Sequence, residues 1–150
     1  AAYALSTPVI MIIVTSLALG KALMSTGMAG YLAMSFVSIV SDMEIPLILS
    51  IFMLIMAILT NVVSNNAAAV IGTPIAIAIA QQLNVTPEPF VLAVLFGANM
   101  SYVTPYGYQT NLLILSAGGY KFSDFLRIGI PLTVIMWIGF SIVLPLLYAL

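Results

Sequence analysis

The sequence lacks cysteine and histidine, and among its 150 residues only three are basic and four acidic. Without cysteine there is no disulfide framework and no thiolate metal site. Without histidine, and with Asp42 and Asp124 both beside other charged loop residues, neither a Ser–His pair nor a buried Asp pair is available for intramembrane proteolysis, so the chain does not read as an enzyme. The nine methionines read as flexible packing, since no softer ligand accompanies their thioethers. The net charge of −1 excludes the basic surface that nucleic acid or an anionic lipid layer would require. Charge makes up 5% of the residues, where soluble domains carry about 25%. With 63% of the residues apolar, most of the surface must face something other than water. The first 20 residues also lack a positively charged signal-peptide n-region, and the chain starts at Ala1, which points to a piece of a longer protein.

What is present is a set of long uncharged runs, 1–20, 22–41, 45–87, 89–120 and 128–150, separated by Lys21, Asp42, Glu44, Glu88, Lys121, Asp124 and Arg127. Each reaches roughly the 20 residues that a helix needs to cross about 30 Å of hydrocarbon. The class expected is therefore an all-α, multi-pass membrane protein of a plasma or bacterial inner membrane. Residues 7–23 read as a helix with Pro8 in its first turn, closed by Ser25-Thr26-Gly27. Residues 28–40 read as a short second crossing or an interfacial helix. Asp42, Glu44 and Pro46 then mark an aqueous turn.

Two of the runs are interrupted. In 45–87 no hydrated turn divides two spans; a polar cluster of Thr60, Asn61, Ser64, Asn65 and Asn66 stands there instead. Residues 45–61 make almost a full crossing, but 67–80 as a helix cover only about 21 Å. A re-entrant hairpin over 45–80 satisfies both lengths if protein or water covers its tip. In the next run, helix is expected over 89–103, a break at Thr104-Pro105-Tyr106-Gly107, and helix again over 109–115, giving one discontinuous helix across 89–117. Ser123 or Asp124 would cap a last transmembrane helix over 124–150. Acidic loops then fall on one side, and Lys121 and Arg127 on the other, which the positive-inside rule makes cytoplasmic.

Paired broken helices at mid-membrane are the sequence sign of a secondary-transporter site. Ser64 or Asn65 would cap a helix starting near Ala67, aiming free N–H groups and a positive dipole end at an anion. Carbonyls of 103–108 would suit a hard cation such as Na+, and Asn65, Asn66, Gln109, Thr110 and Asn111 add amides and a hydroxyl for either. A lone intramembrane Asn more often only bonds a neighbouring helix; five polar residues within seven positions favour a site. Tyr102, Tyr106 and Tyr108 are candidates for the cavity wall. No Asp, Glu, His, Lys or Arg falls in either interruption, which favours cation over proton coupling.

These segments resemble a known family. The run Thr60-Asn-Val-Val-Ser64-Asn65-Asn66-Ala is similar to the C-terminal Ser-Asn-Thr hairpin motif of the divalent anion/sodium symporters, within the ion transporter superfamily. Residues 97–111, with Thr104-Pro105-Tyr-Gly107-Tyr-Gln109-Thr110-Asn111, resemble that family's following broken helix, and Leu19 to Gly27 and Gly119 to Phe125 its flanking segments. The resemblance implies the second inverted repeat of a Na+-coupled carrier that moves a divalent anion by an elevator-like motion. It implies a missing N-terminal repeat, a homodimer and no cofactor other than Na+ as coupling ion. It places Ser64, Asn65, Asn66, Gln109 and Thr110 on the substrate, and Thr60, Val63, Asn65, Gly107 and Tyr108 around one Na+. Asn66 stands where dicarboxylate members have Thr, and Tyr-Gln-Thr-Asn where they have Thr-Pro-Pro-Asn. Sulfate or another inorganic anion is therefore expected first and a dicarboxylate second. Alternatives are an arsenite- or citrate-type permease of the same superfamily, or a non-transporting membrane or channel subunit.

Overall fold

A computed structural model describes residues 7–150, which among themselves form only helices and turns. In chain order these are α1 (Thr7–Ser25), α2 (Met28–Val40), α3 (Ile45–Thr60), α4 (Asn65–Gln82), α5 (Glu88–Asn99), α6 (Gln109–Ala117) and α7 (Phe122–Tyr148). α1 and α2 meet at 69° across a two-residue joint. Gly27 occupies the left-handed region there (φ 72°), which a side chain would strain. Glu44 precedes α3, and Pro46 sits in its first turn, where the missing N–H has no helical partner to lose.

The core lies where α3, α4 and α5 pack on one another. Phe52, Met53 and Met56 of α3, Ala76 and Ile79 of α4, and Phe90, Ala93 and Val94 of α5 are all buried there. Two glycines allow the close approach. A methyl group on Gly97 of α5 would lie 2.7 Å from Met56 Cβ and 2.8 Å from Met53 O, and one on Gly72 of α4 would lie 2.5 Å from Met56 Cε. Small residues that let helix backbones meet are the usual packing device in lipid, where water supplies no force between helices.

α7 is the one described helix that by itself is long and apolar enough to cross a membrane. Only 6% of its most apolar window is buried, so it faces outward. It is pinned to the core by few contacts. Ser50 and Ser141 hydroxyls lie 2.7 Å apart, Trp137 Nε1 donates to Ser50 O at 3.0 Å, and Phe96 stacks on Phe140 at 4.0 Å. An all-helical chain with one clear apolar span and a bent apolar pair fits a membrane transporter.

Several boundaries differ from expectation. α4 starts at Asn65 rather than near Ala67 because Ser64 caps it, and it runs on to Gln82, so its 18 residues measure about 27 Å. Length alone therefore no longer prevents this arm from crossing. α5 stops at Asn99 instead of reaching 103, and α6 extends to Ala117. Neither Ser123 nor Asp124 is the cap of α7. Lys121 holds that position, and its N–H donates to Asp124 Oδ2 at 2.8 Å in the first turn.

Candidate functional site

The first interruption is the tip 61–64 between α3 and α4. At its far side Ser64 adopts extended geometry (φ −65°, ψ 152°), and its Oγ accepts from Ala67 N at 3.3 Å. Ala68 N donates to Ser64 O at 2.9 Å. Among the described residues the N–H groups of Asn65 and Asn66 have no partner. Replacing Ser64 by alanine is expected to destabilise the hairpin by about 1 kcal/mol. A thermal melt of the purified full-length protein checks this, and an unchanged melt would mean that Ser64 does not act as a cap.

The second interruption, 100–108, separates α5 from α6. Tyr108 precedes α6 in extended geometry (φ −141°, ψ 139°) with no side-chain cap, and its carbonyl accepts from Asn111 N and Leu112 N. Gln109 and Thr110 thus also present N–H groups without a partner among the described residues. Four such groups, on two helix N-termini, stand at the ends of two positive dipoles.

These two ends face one cavity. An open space of about 630 Å³ is lined by Ser64, Asn65, Asn66 and Ala67 from the start of α4 and by Gly107, Tyr108 and Gln109 from the start of α6. Thr15, Leu19 and Val70 close its wall, and no charged residue lines it. A smaller anion, or an organic acid of citrate size, fits such a volume.

The C-terminal ends of α3 and α5 meet beside it. Thr60 is completely buried; its Oγ1 lies 2.6 Å from Ala98 O, to which the hydroxyl donates, and 2.9 Å from Asn65 Oδ1. A hydroxyl has one proton, so it cannot satisfy both acceptors. Either the Asn65 amide turns so that its Nδ2 donates to Thr60 Oγ1, or three oxygens converge there on a single proton at the negative ends of two helices. Oxygen-rich, hard and without imidazole or thiolate, this set fits an alkali cation and not a soft metal.

The sequence-derived site residues divide accordingly. Ser64, Asn65, Asn66, Gly107, Tyr108 and Gln109 share the cavity wall, and Thr60 stands behind it against Asn65. Val63 is half-buried, its N–H donating to Leu59 O at 2.9 Å, and it does not line the cavity. Thr110 is exposed and outside the wall, so only its backbone N–H is directed with the others. Of the three candidate tyrosines, Tyr108 alone lines this cavity. Tyr106 lies against Phe122, and Tyr102 belongs to a separate, mainly apolar hollow beside Asp124 and Gly129. Asn111 spends both Nδ2 protons inside the interruption, on Ser101 O (2.8 Å) and Thr104 O (3.3 Å), and it does not line this cavity.

Sequence reading missed the contribution of Asn61. Its Oδ1 accepts from Val103 N (3.0 Å) and Thr104 N (3.1 Å), its Nδ2 donates to Ala57 O (2.7 Å) and Met100 O (3.1 Å), and its carbonyl accepts from Thr104 Oγ1 (2.7 Å). The only signal for it was its place inside the polar cluster. Gly107 completes the join: a methyl there would lie 2.7 Å from Thr60 O and 2.9 Å from Ser101 Cβ, so only hydrogen fits.

The family model described as "Citrate transporter" matches residues 1–150. The chain belongs to the citrate transporter family. This agrees with the resemblance to the divalent anion/sodium symporters carried by the two interruptions. An uncharacterised transporter of Synechocystis is 37% identical over 140 residues, which is 93% of this chain and 23% of that protein. An uncharacterised transporter of Escherichia coli is 31% identical, covering 94% of this chain and 23% of the relative. Sodium/sulfate cotransporter 2 of Chlamydomonas reinhardtii is 31% identical over 121 residues, 79% of this chain and 14% of that protein. The chain thus spans less than a quarter of the length of these relatives. Family and relatives are transporters by name, not enzymes.

Proposed function

We propose that this chain forms the C-terminal inverted repeat of a Na+-coupled anion symporter. The observation that carries the reading is the pairing of opposite helix ends around one uncharged cavity. N-termini of α4 and α6 offer four N–H groups to an anion, while Thr60 Oγ1, Asn65 Oδ1 and Ala98 O offer a cation oxygens at the C-termini of α3 and α5. Asn65 belongs to both, its N–H on the anion side and its Oδ1 on the cation side. A cation bound there would hold the α4 N-terminus in place for the anion, which couples the two cargoes. In this reading Ser64, Asn65, Asn66 and Gln109 contact the anion, with Thr110 through its backbone. Thr60 and Asn65 hold Na+, helped by carbonyls near Val63, Gly107 and Tyr108.

The hairpin is re-entrant in this proposal. With α4 long enough to cross, the support now comes from the tip's neighbours: Thr60 and Asn61 are bonded to residues 98–104, the middle of the α5–α6 span. If that span crosses the membrane, the tip lies at mid-depth. The cavity would then move across the bilayer in an elevator-like motion against the N-terminal repeat, within a homodimer in a plasma or bacterial inner membrane.

Sulfate is the first substrate proposed, since the relatives include named sodium/sulfate cotransporters and Asn66 adds an amide where a small inorganic anion would sit. Citrate is the second reading, favoured by the family description and the cavity volume. The test is counterflow in liposomes holding the full-length carrier. Radiolabelled sulfate uptake should require Na+ and be accelerated by unlabelled sulfate inside. Uptake without trans-stimulation would indicate a channel, and citrate uptake without sulfate uptake would select the second reading.

A further inference from the structure

We infer that Asn61 is the positioning residue of the site: its amide is inserted into the helical ladder of α5 and holds the second interruption open. In a continuous helix Thr104 N–H would donate to Met100 C=O, four residues back. Here Asn61 stands between those two groups, Nδ2 donating to Met100 O (3.1 Å) and Oδ1 accepting from Thr104 N (3.1 Å). The same Oδ1 takes Val103 N at 3.0 Å, which would otherwise turn back toward Asn99. The second proton of Nδ2 goes to Ala57 O (2.7 Å), so both donors and both lone pairs of the amide are used. Thr104 Oγ1 closes the ring by donating to Asn61 O at 2.7 Å.

Side chains inserted in the i→i−4 ladder are a recognised cause of sharp helix interruption. Pro105 explains why helix does not continue past Thr104, but α5 already ends at Asn99, five residues earlier. Asn61 accounts for that gap. Leucine has the amide's shape without its bonds, aspartate lacks the donors, and glutamine is a methylene too long. The interruption in one helix is therefore templated by the tip of another, and the direction of the α6 N-terminus is fixed relative to α4. Asn61 lies outside the cavity wall, so it acts through these segments and not on the cargo.

The consequence for transport rests on the cavity being the anion site; the geometric part does not. In a cysteine-free, full-length carrier, spin labels at Ile58→Cys on α3 and Leu113→Cys on α6, both exposed and neither on the cavity wall, should give one narrow distance distribution. Asn61→Leu should shift and broaden it, and should raise the KM for Na+-driven sulfate uptake roughly 10-fold or more with kcat within about two-fold. Thr104→Val, which removes a single bond of the ring, should broaden the distribution less and raise KM about three-fold. A folded, monodisperse Asn61→Leu carrier with unchanged distances, or with lowered kcat at unchanged KM, overturns the inference. If Asn61→Leu does not fold, unchanged distances and KM in Thr104→Val overturn it instead. Should the unsubstituted carrier move no anion, the functional reading fails, while the label distances still decide the role of Asn61.

Discussion

Replacing Asn65 by alanine is expected to reduce Na+-dependent anion uptake by about 100-fold or more, while the carrier still folds and reaches the membrane. Two losses combine at this residue. The side-chain oxygen that meets Thr60 Oγ1 at 2.9 Å disappears, and with it one of the three oxygens offered to the cation. The backbone N–H at the first position of α4 remains, but the cavity wall that the anion would face loses the Asn65 side-chain amide. Interactions with a charged partner contribute about 1.5–3 kcal/mol each, so losing both falls in the range stated. The fold should tolerate the change, because the helix is capped by Ser64 and Thr60 keeps Ala98 O as acceptor at 2.6 Å. Uptake in proteoliposomes is the measurement, with binding of 22Na+ as the companion. Uptake at the unsubstituted rate would reduce the tip to a packing feature and remove the basis for the coupling proposed.

The largest effect on stability is expected at Gly129, well away from the cavity. α7 crosses the second interruption there so closely that an added methyl would run into the Tyr102 carbonyl oxygen, lie 2.6 Å from its carbon, and 2.8 Å from Val103 Cα. These are backbone atoms flanked by Val103 N, held by Asn61, and Ser101 O, held by Asn111, so they cannot swing aside as a flexible side chain would. Gly129→Ala should therefore destabilise the carrier by about 1–3 kcal/mol and displace the interruption. Gly139, ten positions on in the same helix, has open space where its methyl would go. Gly139→Ala is the matched control and should leave the melting temperature level or slightly higher, since alanine favours helix. Equal melting of the two variants would sink the claim that α7 braces the interruption.

The parts of the fold that were legible in the sequence are those governed by local chemistry. The scarcity of charge marked the lipid-facing class, and the cluster from Thr60 to Asn66 and the Thr104-Pro105 pair marked both interruptions. Ser64 was a legible cap because its hydroxyl acts three residues away. What escaped was set by contacts distant in sequence. The end of α5 at Asn99 could not be read from residues 89–103, an uncharged run with no proline after Pro89 to stop a helix, because the amide that opens the helix comes from position 61. The same cause put Asn111 among the ligands. An asparagine in an unwound stretch offers the same groups to a carbonyl as to cargo, and only the positions of Ser101 O and Thr104 O decide between them. Lys121 as the cap of α7 escaped for a different reason: the residue types that usually cap, Ser123 and Asp124, stand just inside the helix.

The uncharged wall of the cavity also has an electrical consequence. Each elementary charge carried across the bilayer couples to the membrane potential by about 2.3 kcal/mol per 100 mV. Residues lining this cavity contribute no fixed charge to that product. On the proposed reading, any charge held inside this cavity during transport therefore belongs to the passengers. On the proposed reading, two Na+ and one divalent anion would carry no net charge past this wall, and a third Na+ would carry one.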